Sequence, residues 1–250
     1  MRNRPVIVAI ALLAHALCRS QGDTAGELVR RAEDNIRGNS SYAEITMTIV
    51  RPDWSRSVSM KSWSLKTDYG LVLITNPQRD RGTVTLKRDN EVWNWLPSIE
   101  RIIKIPPSMM LQSWLGSDFT NDDLVKESSI VRDYRHTISG DTIIGGRSCY
   151  RITLIPKENA AVVWGKVVLY ISKAGYCELR TEMYDEEGVL SKVLTADHVK
   201  NIGNRTLPTR WEMHTAGKPG QSTTLEYTLW EFDIPLNDSF FSLQNMRRVR

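Results

Sequence analysis

The chain has 250 residues, of which 41% are hydrophobic and 25% charged, the proportions of an ordinary globular protein. No apolar run approaches the roughly 18 residues of a membrane-spanning helix, which excludes an integral helical membrane protein. The formal net charge of +4 falls when the first twenty residues are set aside, because 30 basic side chains then face 29 acidic ones. Residues 21–250 therefore have no large excess of positive charge that would attract a nucleic acid, so we expect no nucleic-acid partner.

The first twenty residues have the layout of a secretory signal peptide. A basic start is followed by an apolar stretch over residues 6–17 and then by short side chains. We therefore expect residues 1–20 to be cleaved on export and residues 21–250 to form a single domain, which the family resemblance described below places in the periplasm. Cys18 raises the alternative of a lipid-anchored outer-membrane form. The bulky Leu17 before it disfavours this alternative, because a lipoprotein signal has a small residue there.

The first element predicted in the mature chain is a helix. Thr24 followed three residues later by Glu27 forms a capping box. Apolar residues recur every four positions from Leu28 to Ile36, as on the buried stripe of a helix. Gly38 is well placed to end the helix.

From Ser41 onward the hydrophobic period changes from four to two. Ile45, Met47 and Ile49 alternate with polar residues, which predicts a strand with one buried and one exposed face. Turn-forming residues then separate further runs of the same kind. These strands are predicted at about 57–65, 70–75, 82–87, 90–96 and 99–105.

A different kind of segment interrupts the strands after Pro106-Pro107. Residues 108–115 are apolar almost all round and indicate a short helix, and a Gly-Ser-Asp hinge follows at 116–118. Thr120 and Asp123 predict a second helix start. We interpret 108–115 as a lid over an apolar concavity, and a buried helix is the alternative.

Strands resume after this insertion and continue almost to the end of the chain. They are predicted at about 129–138, 142–145, 147–155, 164–171, 176–184, 189–197, 207–215 and 222–232. No linker or composition shift divides the chain. The simplest fold is therefore mainly β with few helices: one long antiparallel sheet with a helix before it and a helical insertion in its middle. So many strands curl, which gives the sheet a concave face.

Two cysteines remain after the signal peptide, Cys149 and Cys177. An exported protein can form a disulfide, but these residues fall on the first and third strands of a predicted meander. Backbones two strands apart are ~9–10 Å from each other, whereas a disulfide needs Cα atoms within about 7 Å. The pattern favours two buried thiols over a bridge.

The sequence offers no recognisable catalytic or metal-binding constellation. His136, His198 and His214 have no partner at a metal-ligand spacing, and no nucleophile elbow or phosphate-binding loop occurs. We therefore expect no enzymatic activity, no cofactor and no metal. The unusual feature is a set of tryptophans and methionines concentrated within about seventy residues of the first half of the chain. Methionine suits a surface that accepts variable apolar partners, although core filling is the simpler explanation for any single residue.

Several ordered motifs resemble a known family, the outer membrane lipoprotein-sorting proteins related to the periplasmic carrier LolA. The most specific is the stretch from Ser108 through Trp114 to Leu124. The others, in order, are Ala43-Glu-Ile-Thr-Met-Thr-Ile, Lys61-Ser-Trp-Ser-Leu-Lys with Asn76-Pro77, Gly82-Thr-Val-Thr-Leu, Glu91-Val-Trp-Asn-Trp-Leu-Pro97, Cys149-Tyr-Arg-Ile-Thr-Leu-Ile-Pro156 and Tyr184-Asp-Glu-Glu-Gly188 with Lys192.

The resemblance implies an unclosed, strongly curved antiparallel β-barrel whose open mouth is covered by helices, with an apolar cavity between. It implies a non-catalytic carrier of lipoproteins or other acylated lipids, which would receive its cargo from an inner-membrane transporter or deliver it to an outer-membrane acceptor as a monomer. In the LolA carrier an arginine early in the sheet latches the lid, and Lys66 occupies the nearest position here.

These considerations predict two groups of residues that bind acyl chains. The predicted lid residues are Met109, Met110, Trp114 and Leu115. The predicted wall residues are Met47, Trp63, Trp93 and Trp95. The alternative function is a non-catalytic scaffold that docks an envelope transporter and carries no lipid.

Overall fold

A computed structural model describes residues 23–126 and 129–250. The predicted signal peptide at 1–20, including Cys18, lies outside the described residues. Within the described ranges, no helix is long and apolar enough to cross a membrane.

The described chain is dominated by strands. The helices are α1 (Ala25–Arg37), α2 (Asn121–Lys126) and α3 (Ser129–Arg132). The first group of strands is β1 (Ser40–Arg51), β2 (Trp54–Leu65), β3 (Tyr69–Asn76), β4 (Val84–Arg88), β5 (Glu91–Leu96) and β6 (Arg101–Lys104). The second group is β7 (Tyr134–Ile144), β8 (Arg147–Pro156), β9 (Lys166–Ser172), β10 (Glu178–Tyr184), β11 (Leu190–Ile202), β12 (Arg205–Thr215) and β13 (Ser222–Phe232).

All of these strands belong to one antiparallel sheet of 13 strands. Each group forms a meander, and the two meanders join where β1 pairs with β13 in the middle of the sheet. The strands β6 and β7 form its two edges, so the sheet is unclosed. The predicted fold, a mainly β protein built on an unclosed antiparallel sheet, is confirmed.

Helix α1 begins and packs as its sequence predicts. The Thr24 hydroxyl accepts a hydrogen bond from the Glu27 backbone N–H at 3.3 Å, and the Glu27 carboxylate accepts one from the Thr24 N–H at 2.7 Å. Leu28 and Val29 are almost fully buried against β7, β8 and β9. The apolar stripe therefore fixes α1 on one face of the sheet.

The face that α1 covers, here called the inner face, can be followed across the first meander by strand register. Ala43, Ser62, Val72, Thr85 and Asn94 lie opposite one another on adjacent strands. Because side chains alternate along a strand, the neighbours of these residues point to the other face.

The outer face of β2 to β5 is covered by the end of the chain, residues 233–250. Phe241 and Met246 from this C-terminal segment are fully buried in a cluster with Leu71 and Leu86. No helix or strand is predicted in this segment from the sequence. It contains short 3₁₀ turns rather than a periodic element.

Three predicted elements differ from the observed ones. The strands predicted at 129–138 and 142–145 are a single strand, β7, which starts at Tyr134 after the short helix α3. A register shift between Ile138 and Gly140 leaves Ser139 as the extra residue of a bulge, and Gly140 pairs with Arg151, so no turn forms there. The helix predicted at 108–115 is two 3₁₀ turns, at Pro107–Met109 and Trp114–Gly116.

Both cysteines are buried free thiols, as the meander geometry predicts. Cys149 lies opposite Ser172 across the β8–β9 pair. The Ser172 backbone N–H donates to the Cys177 carbonyl, which places that cysteine beyond the intervening strand. Burial raises the pKa of both thiols.

Candidate functional site

A cavity of about 410 Å³ lies between the inner face of the sheet, helix α1 and the loop that follows β6. Ligand sites for small molecules typically have roughly 300–1,000 Å³. Residues from α1, from both meanders and from the β8–β9 connection border it. This cavity is the candidate ligand-binding site.

The second meander supplies an apolar wall to this cavity. The side chains that border it include Leu194, Trp211, Met213, Leu225, Tyr227 and Trp230. The rings of Tyr227 and Trp230 stack with their centroids 4.1 Å apart. None of these residues is among the predicted ligand-binding residues, although the two-residue spacing of Trp211 and Met213 on one strand is the alternation typical of a buried face.

The first meander supplies a wall rich in hydroxyl groups. Ser41, Ser62, Ser64 and Thr85 all border the cavity. The Ser41 and Ser64 hydroxyls are hydrogen-bonded to each other at 2.7 Å, and the Thr85 hydroxyl donates to the Asn94 side-chain oxygen at 2.8 Å. The cavity lining therefore combines apolar side chains from both meanders, including Met60 and Val72 from the first, with hydroxyl groups concentrated on the first.

Residues 106–120, here called the lid loop, close the cavity on one side. Trp114 is only 6% exposed and borders the cavity. Its indole N–H approaches the Thr85 hydroxyl at 3.4 Å. The Trp114 backbone is held by its N–H, which donates to the Phe119 carbonyl at 2.8 Å. The ring of Trp114 thus forms a roof over the inner face of β4.

A buried ionic network ties the lid loop to the sheet. The carboxylate of Asp118 lies 3.0 Å from the Arg51 guanidinium at the end of β1, and the carboxylate and guanidinium side chains are 5% and 14% exposed. The hydroxyls of Thr223 and Thr215 donate to the same carboxylate at 2.6 and 3.1 Å. Lys192 donates to the Asp118 carbonyl at 2.7 Å. One aspartate therefore joins the lid loop to β1, β11, β12 and β13.

Arginines contact the lid loop from a different place than the resemblance implies. Arg51 also donates to the Gly116 carbonyl at 2.8 Å, and Arg56 on β2 donates to the Leu115 carbonyl. Lys66, the position nearest the family's latch arginine, lies instead in the β2–β3 turn, where its N–H donates to the Asn39 carbonyl. Arg51 and Arg56 therefore contact the lid loop at the end of the β1–β2 pair that lies opposite to Lys66.

The structure separates the predicted lid residues. Trp114 borders the cavity, and Leu115 packs partly buried on the same core cluster. Met110 packs on Val92 and Ile105. Met109 is 38% exposed.

The predicted wall residues are separated as well. Met47 is fully buried on the inner face, deeper along β1 than the residues that border the cavity. Trp63 borders the cavity, but its ring packs on the outer face, 5.3 Å from Tyr42 and 5.7 Å from Phe240. Trp93 and Trp95 follow on the same outer face, in the cluster beneath the C-terminal segment. The three tryptophans predicted to line the cavity thus pack against the C-terminal segment.

Tyr134 borders the cavity and is 4% exposed. Burial, with smaller contributions from the Asp133 and Asp122 charges, raises its pKa from 10.0 to about 12. Ionisation is therefore unfavourable in the folded state, so the stabilising effect is complete below pH 10 and is lost as the pH rises towards 12.

We expect the melting temperature to fall steadily between pH 10 and 12, and the fall to be smaller in Tyr134→Phe. Circular dichroism melts across this range measure it. A decrease remains in the variant because burial also raises the pKa of Tyr42 to about 12. Parallel curves for the two proteins would contradict the assignment.

Ionisable side chains also border the cavity. Within residues 23–126 and 129–250, no three His, Cys, Asp or Glu side chains are grouped to hold a metal ion. The ionisable groups at the cavity margin include Glu33 and Arg37, which form an ion pair at 3.0 Å.

Solved structures share this fold over nearly their whole length. A DUF1329 family protein from Desulfovibrio piger matches with a TM-score of 0.81 and 23% identity, over 89% of this chain and 97% of that chain. An outer membrane lipoprotein-sorting protein domain from Vibrio parahaemolyticus matches with a TM-score of 0.78 and 24% identity, over 90% and 98%. A LolA superfamily protein from Nitrosomonas europaea matches with a TM-score of 0.75 and 22% identity, over 89% and 99%.

The fold is therefore shared with these proteins, and the predicted resemblance to the lipoprotein-sorting proteins is confirmed at the level of the fold. A family model described as "-like: Uncharacterized protein" matches residues 66–248. The chain belongs to this family. A search among curated proteins gives no match.

Proposed function

We propose that the protein is a periplasmic, non-catalytic carrier that binds acyl chains of lipoproteins or other lipids for transfer towards the outer membrane. The observation that carries the proposal is the cavity of about 410 Å³ with an apolar wall and the roof formed by Trp114. An inner-membrane transporter that loads the carrier and an outer-membrane acceptor that unloads it are the partners such a role requires.

Elementary energetics explains why such a carrier is needed. Burying an acyl chain is worth about 0.8 kcal/mol per methylene, so a chain of ~16 carbons left in water costs on the order of 10 kcal/mol. A concave apolar wall offsets this cost without specific hydrogen bonds. Release then requires a second state in which the cavity is filled by the protein's own side chains, and Trp114 is the lid side chain already seated at its edge.

The test is binding of a fluorescent fatty acid to the purified mature protein. We expect Trp114→Asp to weaken binding at least tenfold, because a carboxylate at the roof disfavours an adjacent acyl chain by more than about 1.4 kcal/mol. Trp95→Asp is the matched control, since it makes the same change on the outer face beneath Arg247, whose guanidinium lies 5.3 Å from the Trp95 ring.

Both variants lose the packing of a tryptophan, so binding is measured below both melting temperatures. Equal affinities in the Trp114→Asp and Trp95→Asp variants would remove Trp114 from the site. Mass spectrometry of protein purified without detergent gives a second measurement. Co-purified lipid supports the carrier, whereas failure to bind any acyl ligand favours the scaffold that docks an envelope transporter.

A further inference from the structure

The apolar wall of the cavity contains a hydrogen-bond donor without an acceptor. Trp211 lies on β12, borders the cavity and is 7% exposed. Its indole N–H is buried and has no hydrogen-bond partner in the part of the chain that the structure describes. Buried polar groups in folded proteins are nearly always hydrogen-bonded, because a donor without an acceptor is destabilising. An acceptor supplied by a ligand in the cavity would remove this penalty.

The neighbours of Trp211 explain why the protein supplies no acceptor. Strand register places Ala196 on β11 and Leu225 on β13 opposite Trp211. Along β12 itself, Met213 is the next buried side chain on the same face. A water molecule in a protein interior is held by about two to four polar groups, which these apolar side chains do not offer. The surroundings of the indole therefore favour an acceptor carried by an apolar ligand.

The charged side chains of the cavity indicate that this acceptor is uncharged. Four acidic and three basic side chains border the cavity, so it has no excess of positive charge for an anionic group. Glu33 and Arg37 are paired with each other at 3.0 Å, and the Lys87 ammonium donates to the Thr67 carbonyl at 2.6 Å. An uncharged oxygen can accept a hydrogen bond from an indole without disturbing these pairs.

Building on the proposed function, we propose that Trp211 recognises an uncharged carbonyl group of the ligand, such as the ester carbonyl at the start of an acyl chain. The indole N–H donates to this oxygen, and the tail lies along the apolar wall. Because the N–H is covered in the described state, the entering ligand displaces a neighbouring side chain. Met213 is suited to this movement, since its unbranched side chain has several rotatable bonds. Trp211 then distinguishes an acyl ester from a plain hydrocarbon.

Two ligands of matched length test the inference: methyl hexadecanoate, which has the carbonyl group, and octadecane, which lacks it. The affinity of each is measured by displacement of the fluorescent fatty acid. Trp211→Phe keeps an aromatic ring and removes the donor. We expect this substitution to weaken binding of the ester about three- to tenfold more than binding of octadecane, the range for a hydrogen bond between neutral groups. Comparing each ligand only with itself removes the difference between their solubilities.

Trp230→Phe is the matched control for this variant. Trp230 belongs to the same wall, borders the cavity and is 8% exposed, and its ring stacks on Tyr227. The substitution removes the same volume from the wall, so we expect it to change the affinities for the two ligands by the same factor. If Trp211→Phe also changes both affinities by one factor, the role of Trp211 is overturned and the acyl carrier stays intact.

Nuclear magnetic resonance of the unaltered protein gives a measurement that does not depend on the stability of a variant. The indole N–H signal of Trp211, identified by its loss in Trp211→Phe, should move downfield with methyl hexadecanoate and not with octadecane. The signal of Trp54, which is 48% exposed at the start of β2, should stay in place with both. A Trp211 signal that responds equally to both ligands contradicts the inference. If neither these ligands nor the fluorescent fatty acid binds, the proposed function itself fails.

Discussion

Ser62→Trp is expected to abolish binding of a fluorescent fatty acid while leaving the fold intact. Ser62 lies on the inner face between Ala43 and Val72 and borders the cavity. An indole at this position occupies the space of the ligand. Displacing the contacts of only two methylenes, at about 0.8 kcal/mol each, already costs about tenfold in affinity, and an indole displaces more.

Ser57→Trp is the matched control for this variant. It makes the same substitution on the same strand, but Ser57 points to the outer face and is exposed, opposite Thr48. Tryptophan is favoured in strands, so the two variants should have similar melting temperatures. Fluorescence titration at one temperature then compares their affinities. Undiminished binding by Ser62→Trp would mean that the acyl chain is bound elsewhere.

Asp118→Ala is expected to lower the melting temperature by on the order of 10 °C. The substitution leaves Arg51 without its carboxylate in a poorly exposed site and removes the acceptor of Thr223 and Thr215. Breaking a buried pair from one side typically costs about 3–5 kcal/mol, and for a protein of this size each kcal/mol corresponds to about 2–4 °C. Thermal unfolding monitored by circular dichroism measures the change.

The control is an ion pair with the same nitrogen–oxygen distance at the surface. Asp197 lies 3.0 Å from Arg210, as Asp118 does from Arg51, but the Asp197 carboxylate is 55% exposed. Exposed pairs contribute less than about 1 kcal/mol, so Asp197→Ala should shift the melting temperature by at most a few degrees. Similar shifts in the two variants would show that the lid network contributes little to stability.

The positions of helices and strands were easiest to predict where one face of the element is buried and the other is exposed to solvent. The capping box of Thr24 and Glu27 located the start of α1, and the alternation around Met47 located β1, because solvent exposure on one side preserves the period. The ends of strands were harder to predict where a β-bulge interrupts the pairing. Gly140 indicates a turn by its residue type, yet it continues β7 because the register shift beside it accommodates the extra residue.

The candidate site was harder to predict because both faces of β2 to β5 are covered. All of the first four residues of β4 are buried, so no alternation tells which tryptophans face inward. Trp63, Trp93 and Trp95 were therefore assigned to the cavity wall, whereas the C-terminal segment packs on their rings. A segment without periodicity gives no sign in the sequence that it will cover a face of the sheet.

Because β1 and β13 pair at the centre of the sheet, the chain can be divided into two halves that each contain one meander. Each meander is continuous in sequence, and the connection between them runs through the lid loop and the short helices beyond it. Each meander carries one wall of the cavity, so neither fragment alone can enclose a ligand. Two polypeptides cut within that connection and mixed should re-form the cavity only by re-forming the ladder between residues 41–50 and 222–232, so that any ligand binding they recover would report the pairing of the two halves.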